Sequence, residues 1–183
     1  MTSTEKTRRA GPIAALPGFL SLLFAAGNAS AQSHSEYQVK AKFVEWPAAA
    51  FRHGQSPLTS CLMGEDPFGK VLDDVVKGKS VVGRAFAVRR EAQILRDDSC
   101  QIAFLSGLEK SRAEQALAAL KGLPILTGSD GAEIGEAGSI IAFLIEDSKI
   151  RFNINLESAE RAGIKISSQS LKLAKTIHER RKS

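Results

Sequence analysis

Between Leu58 and Thr127 short apolar runs alternate with stretches whose apolar residues recur every three or four positions, and that order constrains the fold more than any other feature of the chain. Leu58 to Met63 is an apolar run closing at Gly64, and Asp66-Pro67 reads as N-cap and first helical residue. The spacing predicts a helix over 67–76, with Phe68, Val71, Leu72 and Val75 on one face and Gly78 beyond its end. Lys79 to Arg90 carries Val81, Val82, Phe86 and Val88 around Gly83-Arg84, a strand bent at its glycine. Cys100 to Leu105 is the next strand. Ala113, Ala116, Leu117 and Leu120 mark an amphipathic helix that stops at Gly122, and Pro124 to Thr127 gives a further short strand. Strands joined through helices lie parallel, with the helices packed on the sheet faces.

The pattern then changes. Ile140 to Ile145 is continuously apolar, whereas Ile150 to Leu156 alternates, with Phe152, Ile154 and Leu156 on one side and Arg151, Asn153 and Asn155 on the other. Four polar residues, Glu146 to Lys149, join the two runs, which predicts an antiparallel hairpin. Ser167-Ser168 caps a last helix expected to turn Leu171, Ala174 and Ile177 inward. The fold class read from the sequence is therefore α/β: a mostly parallel sheet flanked by helices in Rossmann or flavodoxin-like layers, with an added C-terminal hairpin and a final helix.

The N-terminal segment has a different grammar. Lys6, Arg8 and Arg9 precede an almost wholly apolar stretch from Ile13 to Ala26, and Ala29-Ser30-Ala31 supplies small residues at the spacing of a signal-peptidase site. The apolar core is about 14 residues, short of the roughly 20 that span a bilayer. The expectation is a cleavable signal peptide over 1–31, export to the periplasm without a membrane span, and one domain over 32–183. Removing 31 of 183 residues leaves 152, an ordinary size for one core. That domain keeps Cys61 and Cys100, for which an oxidising compartment makes a disulfide the default, with two buried thiols as the alternative.

Composition narrows the function classes. The net charge of +5 includes three Lys/Arg of the leader and the tail Arg180, Arg181 and Lys182, a pattern of a solvated end rather than a nucleic-acid site. His34, His53 and His178 stand far apart with no second ligand at metal-site spacing. Gly64-Glu65-Asp66-Pro67-Phe68-Gly69 sits where a dinucleotide loop would, yet it puts carboxylates where a pyrophosphate needs bare amides. No catalytic constellation is visible, so the reading is of a binding protein that needs no cofactor or metal. Two candidate surfaces follow. Asp66, Ser106 and Thr127 are the candidate ligand pocket at strand carboxyl ends. Phe43 and Trp46, on a helical stripe with Val39 that runs from Glu36 to Trp46 and is ended by Pro47, join Arg151 and Asn155 as candidate partner-binding residues.

The segments Glu36-Tyr37-Gln38-Val39-Lys40, Phe43-Val44-Glu45-Trp46-Pro47, Gly64-Glu65-Asp66-Pro67-Phe68-Gly69, Gly83-Arg84, Phe104-Leu105-Ser106, Arg151-Phe152-Asn153-Ile154-Asn155 and Ala162-Gly163-Ile164-Lys165-Ile166-Ser167-Ser168 occur in this order along the chain. In these the chain resembles the YfiR family, also called DUF4154. The resemblance implies a periplasmic α/β regulator, often dimeric, that binds the periplasmic domain of an inner-membrane diguanylate cyclase or other sensor, holds it inactive, and so lowers cyclic di-GMP signalling and biofilm formation. It also implies pairing of Cys61 with Cys100, while a further cysteine pair of some members is absent. Where family members have about seven more residues, nearly two helical turns, this chain has only Ala41-Lys42 before Phe43. The expected consequence is a retained fold with a smaller apolar patch for dimerisation or partner binding.

Overall fold

The structure is a computed structural model that describes Lys40 and residues 57–81, 83–91 and 100–179, the side chains of Val81 and Glu91 excepted. The segment expected to be a signal peptide, Phe43, Trp46 and the basic tail lie outside the described residues. Element order is β1 (Leu58–Gly64), α1 (Lys70–Val76), β2 (Ser80–Val81), β3 (Arg84–Glu91), β4 (Ile102–Ser106), α2 (Lys110–Leu120), β5 (Leu126–Asp130), α3 (Ala132–Glu136), β6 (Ile141–Glu146), β7 (Lys149–Asn155), α4 (Leu156–Arg161), α5 (Ser168–Leu173) and β8 (Thr176–His178). The strands form one sheet in the order β2-β3-β1-β4-β5-β6-β7-β8. Pairing is parallel from β3 through β6. It turns antiparallel between β6 and β7 and parallel again between β7 and β8.

Side chains alternate across this sheet and so build two cores. Leu62, Phe104, Phe143, Phe152 and Ile154 point to one face, where Leu72 and Val76 of α1 and Ala159 of α4 cover them. Met63, Ala103 and Leu105 point to the other, under Ala113, Ala116 and Leu120 of α2 and Ile134 of α3. An aromatic row crosses the first face: Phe68 meets Phe104 edge-on with centroids 4.8 Å apart, and Phe104, Phe143 and Phe152 follow at 6.1 and 6.4 Å. Gly128 of β5 leaves room for it, since a Cβ there would stand 3.1 Å from the Phe104 ring.

The expected α/β class, with its mostly parallel sheet and its hairpin, is the observed one. Cys61 and Cys100 are joined in a disulfide that ties β1 to the entry of β4, with Cα atoms 5.8 Å apart and both residues buried.

Several boundaries differ from expectation. The helix predicted from Pro67 starts at Lys70, because Asp66 Oδ1 takes the amides of Phe68 and Gly69 into a turn of their own. The bent strand at Gly83-Arg84 is a reversal: Gly83, at φ 75°, folds β2 back antiparallel on β3. The hairpin loop is two residues, Asp147-Ser148 at φ 49° and 57°, rather than four. Leu156 opens α4 instead of ending β7, with Asn155 Oδ1 capping the Ser158 amide at 2.9 Å. The final helix is capped by Ser167 as expected but stops at Leu173. Ile177 therefore does not turn inward on it; it lies in β8 and is 39% exposed.

Candidate functional site

At the carboxyl end of β1 the sequence-predicted pocket residues are absorbed by structure. Arg90, at the end of β3, donates from Nε to Asp66 Oδ2 at 2.7 Å, from its terminal nitrogens to both Asp73 oxygens at 3.1 and 2.9 Å, and to the Gly69 carbonyl at 3.1 Å. Burial of the Asp66 carboxyl works to raise its pKa, but the Arg90 guanidinium and the Gly69 and Phe68 amides outweigh it and hold the group below its ordinary value. The same pairing, with Asp73 first and Asp66 second, raises the Arg90 pKa. Asp66 is thus a clamp between turn, α1 and β3.

Ser106 is buried beside it. Its carbonyl accepts the Glu65 amide at 2.9 Å and would stand 2.2 Å from any Cβ on Gly64, which sits at φ +89° and so needs to be glycine. Thr127 is not at this end of the sheet. The strand expected to finish there begins at Leu126 and runs to Asp130, so Thr127 lies three residues, about 10 Å, short of the carboxyl end. The unexpected continuation, Gly128-Ser129-Asp130, holds as a strand because β4 and β6 pair with it on both sides. Thr127 Oγ1 accepts the Ile140 amide at 3.0 Å and lines a cleft of about 310 Å³ between α2 and α4. The structure brings Asp66 and Ser106 together but not Thr127.

The other candidate surface is different. Helices α2 and α3 cover the second face only as far as β6, and β7 and β8 extend beyond them. On that face, which no helix covers among the described residues, Arg151 and Thr176 are exposed, Asn153 and Asn155 are half-buried, and His178 is exposed. The register pairs Asn153 with Thr176 and Asn155 with His178, so the polar residues make a shelf two strands wide. Gly135 of α3 allows the helix to press on β6 at the edge of the shelf; a Cβ there would lie 2.4 Å from that of Ala142. The step between α3 and the shelf is a cleft of about 380 Å³ lined by Glu136, Ser139, Asn153, Asn155 and His178. Ser139 is fixed by a 2.7 Å hydrogen bond to Ser129, and Asn155 by its cap on α4. Asn153 Oδ1 is buried and accepts no hydrogen bond among the described residues.

Arg151 and Asn155 share this face, as their alternation with Phe152 and Ile154 predicted. Glu136, Ser139 and His178 were missed, because they come from a short helix, its exit loop and an edge strand that have no apolar period of their own. Among the described residues no group of three metal-capable side chains converges, and no helix is long and apolar enough to cross a membrane.

Fold and shelf together define an α/β domain that offers a polar sheet face beside a helix. The sequence pattern of one family matches residues 38–175, and the chain belongs to it: the YfiR/HmsC-like family, DUF4154. Membership supports a periplasmic regulatory role in general, in a family that is regulatory rather than catalytic. Among solved structures, the conserved domain protein from Vibrio cholerae O1 biovar El Tor str. N16961 is similar in fold, with a TM-score of 0.53 at 11% identity. The match covers 75% of this chain and 59% of that one, so this chain spans less than two thirds of the Vibrio protein's length.

Proposed function

We propose that the chain is a periplasmic regulatory binding protein that holds the periplasmic domain of an inner-membrane diguanylate cyclase, or of a comparable sensor, in its inactive state, lowering cyclic di-GMP signalling and biofilm formation. Beside family membership, the observation that carries this reading is the β7–β8 shelf, a sheet face left uncovered by α2 and α3 with Arg151 at its outer part. Inhibition requires tighter binding to the inactive state than to the active one. Moving an equilibrium from 1:99 to 99:1 takes a differential of about 5.5 kcal/mol, which a standard interface with a few buried anchors supplies. Arg151 and Asn153 offer directional donors and acceptors for that purpose. Replacing both with alanine is expected to weaken binding to the sensor's periplasmic domain by about tenfold or more, measured by calorimetric titration. Unchanged affinity in a folded double variant would remove the shelf from the account.

A second reading is favoured by Asn153 Oδ1, a buried acceptor without a donor among the described residues, in the wall of a cleft of about 380 Å³. It is that the cleft takes a small polar molecule with an N–H or O–H donor, as an effector or in place of a protein partner. A rise in melting temperature with saturating ligand, lost in Asn153→Leu, is the expected sign.

A further inference from the structure

We propose, resting on the small-molecule reading of the cleft between α3 and the shelf, that its guest is a small organic cation whose ammonium or guanidinium N–H groups reach Asn153 Oδ1 and the Glu136 carboxylate together. That reading asks only for a hydrogen-bond donor; the charges that line the cleft decide which kind of donor fits.

The register brings the two acceptors to one place. Asn153 of β7 stands opposite Ala142 of β6, so the two side chains project from the same face of the sheet. Ala142 is also the residue on which α3 presses, since a Cβ on Gly135 would lie 2.4 Å from its Cβ. Asn153 is therefore one strand spacing, about 4.8 Å, to the side of that contact. Glu136 follows Gly135 as the last residue of α3 and lines the same cleft.

The lining is uneven in charge. One carboxylate, that of Glu136, belongs to it, and no Lys or Arg does. Glu136 is exposed and forms no ion pair among the described residues, so its charge is open to a guest. Asn153 Oδ1 is buried and lacks a donor among the described residues, a state that an N–H from a guest relieves. The neighbouring oxygens are already engaged: Ser139 Oγ with Ser129 at 2.7 Å, and Asn155 Oδ1 with the Ser158 amide at 2.9 Å. His178 completes the polar lining with an imidazole that can donate or accept. A guest thus meets one neutral and one anionic acceptor. A cation that carries only donors matches both, and charge-assisted hydrogen bonds are roughly twice as strong as neutral ones. An anion would face Glu136 with no Lys or Arg of the lining to offset the repulsion. The cleft volume of about 380 Å³ is at the small end for ligand pockets and suits a guest of a few carbons.

The test uses putrescine, butanediol and succinate, probes with the same four-carbon chain length that carry positive, no and negative charge. Each is titrated calorimetrically into the exported, purified protein at constant ionic strength, and circular dichroism establishes that every variant is folded. Putrescine is expected to bind, butanediol about tenfold more weakly, and succinate not at all. Glu136→Gln is expected to weaken putrescine about tenfold and to leave butanediol unchanged. Asn153→Asp, which puts a second carboxylate in the cleft, is expected to tighten putrescine about tenfold. Butanediol or succinate binding as tightly as putrescine, or putrescine binding indifferent to both substitutions, would overturn the choice of a cation and leave the cleft a small-molecule site. Saturable binding of none of the three would overturn the small-molecule reading and this inference with it.

Discussion

Lys40 Nζ lies 2.8 Å from Asp130 Oδ1, joining residues 90 apart in sequence at the carboxyl end of β5. The Lys40 side chain is fully buried and that of Asp130 is 21% exposed, so the ammonium carries most of the desolvation. A buried ion pair adds little over an apolar pair, but removing one member takes away part of what offsets the other's desolvation.

The two single substitutions should therefore differ. Asp130→Ala, which removes a carboxylate from a fully buried ammonium, is expected to cost more than Lys40→Met, because Asp130 reaches water. The double variant should cost less than the sum of the singles in urea unfolding.

The disulfide closes a loop across a sequence separation of 39. On the chain-entropy model Cys61→Ala with Cys100→Ala costs about 4 kcal/mol. In a domain of this size that is a fall in melting temperature of roughly 10 °C by calorimetry. Because both cysteines are buried, reductant should act slowly on the native protein and quickly once it unfolds.

Acid should release the Arg90 clamp. The folded pKa of Asp66 lies below its ordinary value of 3.8, so its contribution to stability is fully present above that value and is lost as pH falls through the folded one. Asp66→Asn is expected to flatten the dependence of unfolding free energy on pH below about 4, with little change in slope from pH 5 to 8. A slope unaltered by the substitution would show that other carboxylates carry the acid response.

What the sequence disclosed follows from where the signal resides. Strands β1, β4, β6 and β7 and helix α2 were legible because burial on a sheet or helix writes its period directly into residues such as Leu62, Phe104, Phe152 and Ala116. Helix α3 was not, since Ile134 is its only large apolar residue and Gly131, Gly135 and Gly138 surround it. The apolar step from Leu171 through Ala174 to Ile177 imitated one helix across α5 and β8, and pairing with β7 overrode it. Thr127 misled for a related reason: Gly128, Ser129 and Asp130 have weak strand preference, and only their neighbours make them a strand. Arg151 and Asn155 were visible as the polar half of an alternating strand. The cleft beside them was not, because Glu136, Ser139 and His178 reach it from separate elements.

The central claim, that this chain restrains a membrane sensor through its surface, is tested most directly by cyclic di-GMP synthesis. The purified domain would be titrated into inner-membrane vesicles carrying the diguanylate cyclase with its periplasmic domain accessible. Saturable inhibition by the wild type, with weaker inhibition by the Arg151→Ala, Asn153→Ala variant, is the predicted result. Synthesis that continues unchanged at saturating wild-type protein would contradict it.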